Sequence, residues 1–284
     1  MDTTIQTRPY GRTGVSVTRV GLGGEGVLRS TGQTEAARAV IHTAIDQGIT
    51  YYDCARVYAD SELYYGSVWG EAPHARSNVF QASKSASRDR DGALRDLDET
   101  LERLQVDHLD LWQIHDVRTE ADMQQIAGAG GALEAFGEAR DQGKVRFIGV
   151  TGHHDPAILT KAVTEWPVDA VMLPVNPVEA VIGGFLTETL GAAKEKGLAV
   201  IGMKILGAGH YIVPRLGVTA DLLLRFALDQ DISVAIVGCG APAEVEALAR
   251  IGTEGAPLSR KEHESLIEAF TPYAQRLAFY RGVL

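Results

Sequence analysis

Cysteine is nearly absent. Cys54 and Cys239 are the only two in 284 residues. Two thiols supply neither a zinc-binding Cys cluster nor a disulfide scaffold, and a reducing cytosol is the simplest setting for them. Positive charge is also in deficit, with 27 Lys and Arg against 37 Asp and Glu, a formal net charge of −10. An acidic chain repels phosphate backbones and anionic lipid, so a nucleic acid partner is not expected. No stretch approaches the ~18 uninterrupted apolar residues of a membrane span. The N-terminus, MDTTIQTRPYGRTG, lacks the apolar segment of a secretory signal. These absences together imply a cytoplasmic globular protein. The first β-rich run has no His-x-His, and His153-His154 stands alone. A metal-dependent barrel hydrolase, which clusters His and carboxylate ligands at strand ends, is therefore disfavoured, and no metal is expected.

What the chain does have is glycine, 31 residues of it, and a repeat. Short apolar runs bounded by Gly, Asp or Pro recur at 20–23, 50–53, 79–83, 109–115, 145–151, 170–175, 199–205 and 234–238. Amphipathic stretches lie between them. In 34–47, Ala37, Val40, Ile41 and Ala44 recur at helical spacing before Gly48; helices at 131–142 and 185–196 stop at Gly143 and Gly197. Asp155-Pro156 reads as an N-cap followed by Pro at the first helical position. Further helices are expected at 93–104, 219–229, 242–250 and 261–276. Eight strand–helix units predict an α/β fold, a (β/α)8 TIM barrel occupying 1–284 as one domain. Residues 8–17 read as an N-terminal β-hairpin plugging the barrel floor. Gly21-Leu22-Gly23-Gly24-Glu25-Gly26 matches the dinucleotide-turn spacing of a doubly wound sheet, but loop rather than helix is expected after it. Residues 27–32, 117–130, 181–184 and 206–217 are expected to be loops over the mouth.

Barrel chemistry sits at the C-terminal ends of strands. The second run ends at Asp53 with Tyr58 five residues on, the third reaches Lys84, and the fourth ends at His115. Consecutive strands can bring these four side chains together. A Lys inside a barrel mouth is costly unless paired, and Asp53 is its natural counter-ion. The ammonium is expected to lower the Tyr58 pKa from about 10, tuning it as a proton donor to a carbonyl oxygen. His115 is positioned to hydrogen-bond that oxygen. The set lacks an electron source, so a hydride-carrying cofactor is implied. Cys54 reads as a small buried filler. Trp69, Trp112 and Trp166 read as core rather than pocket walls, and Tyr211 as a possible substrate contact.

At these residues the chain resembles the aldo-keto reductase family. The resemblance rests on Tyr10–Gly14, Val20–Gly23, Tyr52–Tyr58 with Ser61-Glu62, Ser83-Lys84, Val106–Leu111, Gln113–His115 and Gly143–Arg146. It implies a (β/α)8 barrel reducing aldehydes, ketones or sugars with a nicotinamide cofactor, usually NADPH. The family's catalytic tetrad falls on Asp53, Tyr58, Lys84 and His115. Its cofactor contacts fall on Thr151, Gly152, Met203, Lys204, Leu206, Gly238, Cys239 and Gly240. A small carbonyl or alcohol substrate is implied. The alternative is a cofactor-binding regulatory or assembly subunit with little turnover.

The chain departs from the family pattern where the nicotinamide carboxamide is held. Thr151-Gly152 stands where relatives carry Ser-Asn, and Met172 where they carry Gln; Asn176 or His153 is the expected substitute. Met203 replaces a stacking aromatic. Lys204 is either a pyrophosphate contact or a solvated rim residue. Near the adenosine phosphate position the chain offers Glu244 and Glu246, with Arg250 the nearby cation. Carboxylates there would repel a 2′-phosphate and accept from a ribose hydroxyl, which makes NADH possible.

Overall fold

The computed structural model describes residues 4–283. Two short strands, β1 (Thr7–Pro9) and β2 (Ser16–Thr18), pair antiparallel as the expected hairpin. The remaining strands are β3 (Val20–Gly26), β4 (Tyr51–Asp53), β5 (Phe80–Ser85), β6 (Leu109–Ile114), β7 (Val145–Thr151), β8 (Ala170–Pro174), β9 (Ala199–Met203) and β10 (Val234–Cys239). They run parallel in sequence order, and β10 closes on β3. The doubly wound alternative is thereby excluded. β3 continues through its glycines to Gly26, which pairs with Cys239 across a register shift, and only the single 3-10 turn Val27–Arg29 follows.

Local signals set the helix boundaries. Asp155 caps Pro156–Glu165 by accepting from the Ala157 amide at 2.8 Å, and Asp89 caps Arg90–Leu104 through the Gly92 amide at 2.8 Å. The stops at Gly48, Gly143 and Gly197 adopt φ of 78°, 73° and 66°, the left-handed conformation that ends helices.

Four helices lie outside the expected set, the shortest of them Pro73–Arg76. Ser61–Trp69 is buried at seven of its nine positions, so it has no polar face and no amphipathic period to read. Glu120–Ala127 lies inside the expected 117–130 loop, started by a capping box between Thr119 and Asp122. Pro177–Ile182, capped by Asn176, takes up part of 181–184. The expected helix 185–196 opens with a π-helical turn, Phe185–Thr189, before Leu190–Glu195. The expected helix 261–276 breaks after Phe270 into a 3-10 turn and Ala274–Leu277.

The core has two layers. Outward strand residues such as Val20, Leu22, Tyr52 and Trp112 pack against the helices. Inward residues, among them Tyr51, Phe80, Leu111, Met172 and Ile201, fill the barrel. Tyr10 and Val17 of the hairpin join that inner cluster, with the Tyr10 ring 4.6 Å from Phe80. The hairpin thus seals the floor with an aromatic plug. Replacing Tyr10 by Ala empties that position, and we expect a loss of about 3–5 kcal/mol in urea unfolding.

Candidate active site

Side chains alternate in and out along a strand. Tyr51 faces the barrel interior, so Asp53, two residues on, faces it too. Phe80 and Ala82 place Lys84 inside, and Leu111 begins the same alternation toward Gln113 and His115. Adjacent strands are in register at Asp53↔Ala82 and Lys84↔Gln113. Three ionisable groups from three neighbouring strands therefore reach the mouth side by side.

Lys84 Nζ donates to Asp53 Oδ2 at 2.5 Å and to the Cys54 carbonyl at 2.8 Å. Both side chains of the pair are almost fully buried, at 1% and 2% exposure. Burial pushes the Asp53 carboxyl up, and Lys84 partly offsets the rise. Burial opposes the Lys84 charge, yet the adjacent Asp53 carboxylate holds the ammonium pKa above its ordinary value.

Tyr58 follows a turn closed by its own amide to the Ala55 carbonyl at 2.9 Å. Its ring lies under Lys84 Nζ, 4.8 Å from the centroid, and meets the His115 ring edge-on at 5.6 Å. The ring packs on the backbone of β3, where a Cβ at Gly24 would stand 2.7 Å from it. The four residues thus converge. One expectation is corrected: the Tyr58 pKa is raised, because burial of the phenol outweighs the lowering by Lys84. The phenol is therefore firmly neutral. His115 is pushed well below its ordinary value, first by burial and then by Lys84, His153, Arg88 and Arg29. Its ring is neutral at physiological pH.

The residues matched to cofactor contacts lie at or just past the ends of β7, next to β6, and of β9 and β10, on the far side of the barrel. Thr151 Oγ1 accepts from the Asp116 amide at 2.8 Å and keeps its own proton free to donate. Gly152 is hemmed in: a Cβ would approach the Val117 carbonyl to 3.1 Å, so a side chain here requires the Val117 backbone or Leu159 to give by a few tenths of an ångström. Met203 flanks the interior cluster. Lys204 has a left-handed φ of 55° and lies 5.5 Å from the Tyr280 ring. Burial lowers its pKa, with Glu25 and Asp116 opposing and Arg29 adding to the fall. Leu206 is half-buried before the 3-10 turn Gly207–Gly209. Gly238 and Cys239 end β10; burial pushes the Cys239 thiol up to about 12, so it is no nucleophile. The Gly240 amide donates to Glu244 at 2.6 Å.

Asn176 is not available to a carboxamide. Its Nδ2 donates to the Lys204 carbonyl and the Tyr280 hydroxyl, both at 3.1 Å, and its Oδ1 accepts from the Glu179 amide. His153 is engaged as well, by the Tyr280 carbonyl at 3.0 Å and Asp116 at 3.3 Å. Tyr211, in the loop after β9, is buried against the C-terminal segment and donates to the Leu277 carbonyl at 2.9 Å. Cys54 and the three tryptophans are buried as expected. Sequence reasoning missed the C-terminal strap, in which Tyr280 and Arg281 bind the buried Glu179. No local pattern announces it, since the partners lie about a hundred residues apart. Arg29 and Glu25 beside Tyr58 were also missed, although Glu25 sits two residues past the inward-facing Gly23.

The sequence profile of the "Aldo/keto reductase family" matches residues 19–212. The chain belongs to the aldo-keto reductase family. This aldo-keto reductase is 26% identical to L-galactose dehydrogenase of Arabidopsis thaliana over 99% of both chains. It is 30% identical to 6-dehydroglucose reductase of Novosphingobium aromaticivorans over 51% of this chain and 50% of that one. Its fold superposes on the holo form of an aldo-keto reductase from Bacillus halodurans with a TM-score of 0.77, at 18% identity over 96% of each chain. The protein is thus an NAD(P)H-dependent oxidoreductase of carbonyl compounds. Among the described residues no helix is long and apolar enough to cross a membrane.

Removing Lys84 leaves Asp53 as an uncompensated buried charge. We expect K84M to lose about 3–5 kcal/mol of stability at neutral pH. Its Asp53 pKa, already raised by burial, should rise further. Stability carried by such a raised carboxyl is present at low pH and lost as pH climbs through the folded pKa. The deficit in urea midpoint should therefore narrow on acidification.

Proposed function

We propose that this reductase interconverts a small aldehyde, ketone or sugar carbonyl and its alcohol, with Tyr58 as the proton donor. The observation carrying this reading is the neutral Tyr58 phenol held between the Lys84 ammonium and the neutral His115 ring. A reduced nicotinamide, when bound, supplies the hydride to the carbonyl carbon. Tyr58 donates its hydroxyl proton to the developing alkoxide, and His115 hydrogen-bonds the same oxygen and orients it. Lys84, fixed by Asp53, stabilises the phenolate that remains, and in alcohol oxidation the same phenolate takes the proton back.

The mouth suits a nicotinamide. Thr151 retains a free donor, Met203 offers a thioether for a ring face, and at Gly240, where a Cβ would meet nothing nearer than Glu244 at 3.6 Å, the backbone is open to close approach. Lys204 is our candidate for the pyrophosphate. Beside Gly240 the acceptor is Glu244, and Glu246 is exposed nearby. A carboxylate there opposes a 2′-phosphate, and this favours NADH alongside the NADPH usual in the family. The sugar names of the two relatives make sugars and sugar alcohols the first compounds to try.

Nicotinamide absorbance with a panel of aldehydes, ketones and sugars tests the reaction. Tyr58→Phe should abolish turnover while cofactor dissociation constants, read by protein fluorescence, stay nearly unchanged; a variant that kept its kcat would remove Tyr58 from the chemistry. NADH should bind at least as tightly as NADPH, and Glu244→Lys should shift the ratio toward NADPH. A strong NADPH preference in the unaltered protein would overturn the NADH reading.

A further inference from the structure

The Tyr58 ring carries a second cation. Arg29 ends the 3-10 turn after β3, and its guanidinium carbon lies 4.7 Å from the Tyr58 ring centroid. Its Nη1 donates to Glu25 at 2.5 Å, so the arginine is tethered to the strand it follows. The turn is also stapled to the loop bearing Tyr58. The Ser30 carbonyl accepts from the Asp60 amide at 3.3 Å and the Tyr64 hydroxyl at 2.9 Å. Asp60 Oδ2 in turn accepts from the Gly32 amide at 3.0 Å. The segments that carry the arginine and the phenol are thus held together by hydrogen bonds of backbone and side chains, independently of the contact between the two.

We propose that Arg29 is a positioning residue for the proton-transfer step, fixing the Tyr58 ring and stabilising its phenolate through a cation–π contact. The proposal rests on Tyr58 being the proton donor. The phenol is faced by Lys84 at the end of β5, Asp53 at the end of β4, His115 beyond β6, and Glu25 and Arg29 at the end of β3. Lys84 and Arg29 favour the phenolate; Asp53 and Glu25 oppose it. Lys84 is locked by Asp53 at the floor of the mouth, whereas Arg29 is half-exposed at its rim. A guanidinium over an aromatic face is worth about 0.5–2 kcal/mol, depending on desolvation. No proton passes through Arg29; it acts on Tyr58 alone.

The test compares wild type with R29Q, R29M and R29K, using the panel compound turned over fastest and oxidation of its alcohol. The pH limb for oxidation reports Tyr58 ionisation. In R29Q and R29M it should move upward by about half a pH unit or more, and oxidation at pH 8 should fall about three- to thirtyfold. R29K should recover most of the loss. Cofactor dissociation constants should stay within about twofold, as they would not if the mouth had collapsed. Tyrosinate absorbance of each protein, less that of its Tyr58→Phe counterpart, gives the same shift without substrate. An unmoved limb in both neutral variants overturns the proposal, as does failure of R29K to recover either readout. R29M keeps the side chain's apolar packing and serves if R29Q does not fold. Activity retained by Tyr58→Phe alone would instead strike at the proposed proton donor itself.

Discussion

The buried ion pair of Asp53 and Lys84 is the constraint around which the mouth is organised. Two charges out of water are tolerated only with short, well-directed bonds, and here Nζ meets a carboxylate oxygen at 2.5 Å and a carbonyl at 2.8 Å. That geometry ties the end of β4 to the end of β5. It leaves the ammonium with one remaining direction, toward the Tyr58 ring. Such a pair is a poor investment for stability alone, since apolar residues of similar volume would serve as well. What it provides is a fixed positive charge beside a neutral phenol.

Backbone proximity is the second constraint. β3 presents glycines where its neighbours present side chains, and Tyr58 occupies space that a Cβ on Gly24 would fill. On the other side, a Cβ at Gly238 would stand 2.5 Å from the Cβ of Glu25. The loops after β3, β4 and β10 therefore meet closely, and Glu25 and Arg29 are delivered to the rim. The glycine run that matches a dinucleotide turn in spacing serves a barrel seam instead.

Much of this architecture was legible in the sequence. Eight apolar runs mark the barrel strands, and the parity of Tyr51 with Asp53 and of Phe80 with Lys84 already aims the charged groups inward. Asp155-Pro156 and the helix-stopping glycines are local signals, decided within four or five residues by hydrogen bonding and allowed φ. The helix Ser61–Trp69 was illegible because it is buried on nearly all sides, which erases the polar face that periodicity requires.

The sequence by itself determined the strand–helix alternation, the inward parity of the strand-end groups and their membership in one family. Tertiary structure alone decided what surrounds them. Burial, and not the lysine charge, sets the direction of the Tyr58 pKa, because desolvation depends on every atom packed about the phenol. Asn176 is claimed by Tyr280, and Glu179 by Tyr280 and Arg281, across about a hundred residues of chain. Periodicity and caps are encoded between near neighbours. Solvation and long-range pairing exist only once the barrel has closed and its C-terminal segment has packed on the loops after β7, β8 and β9.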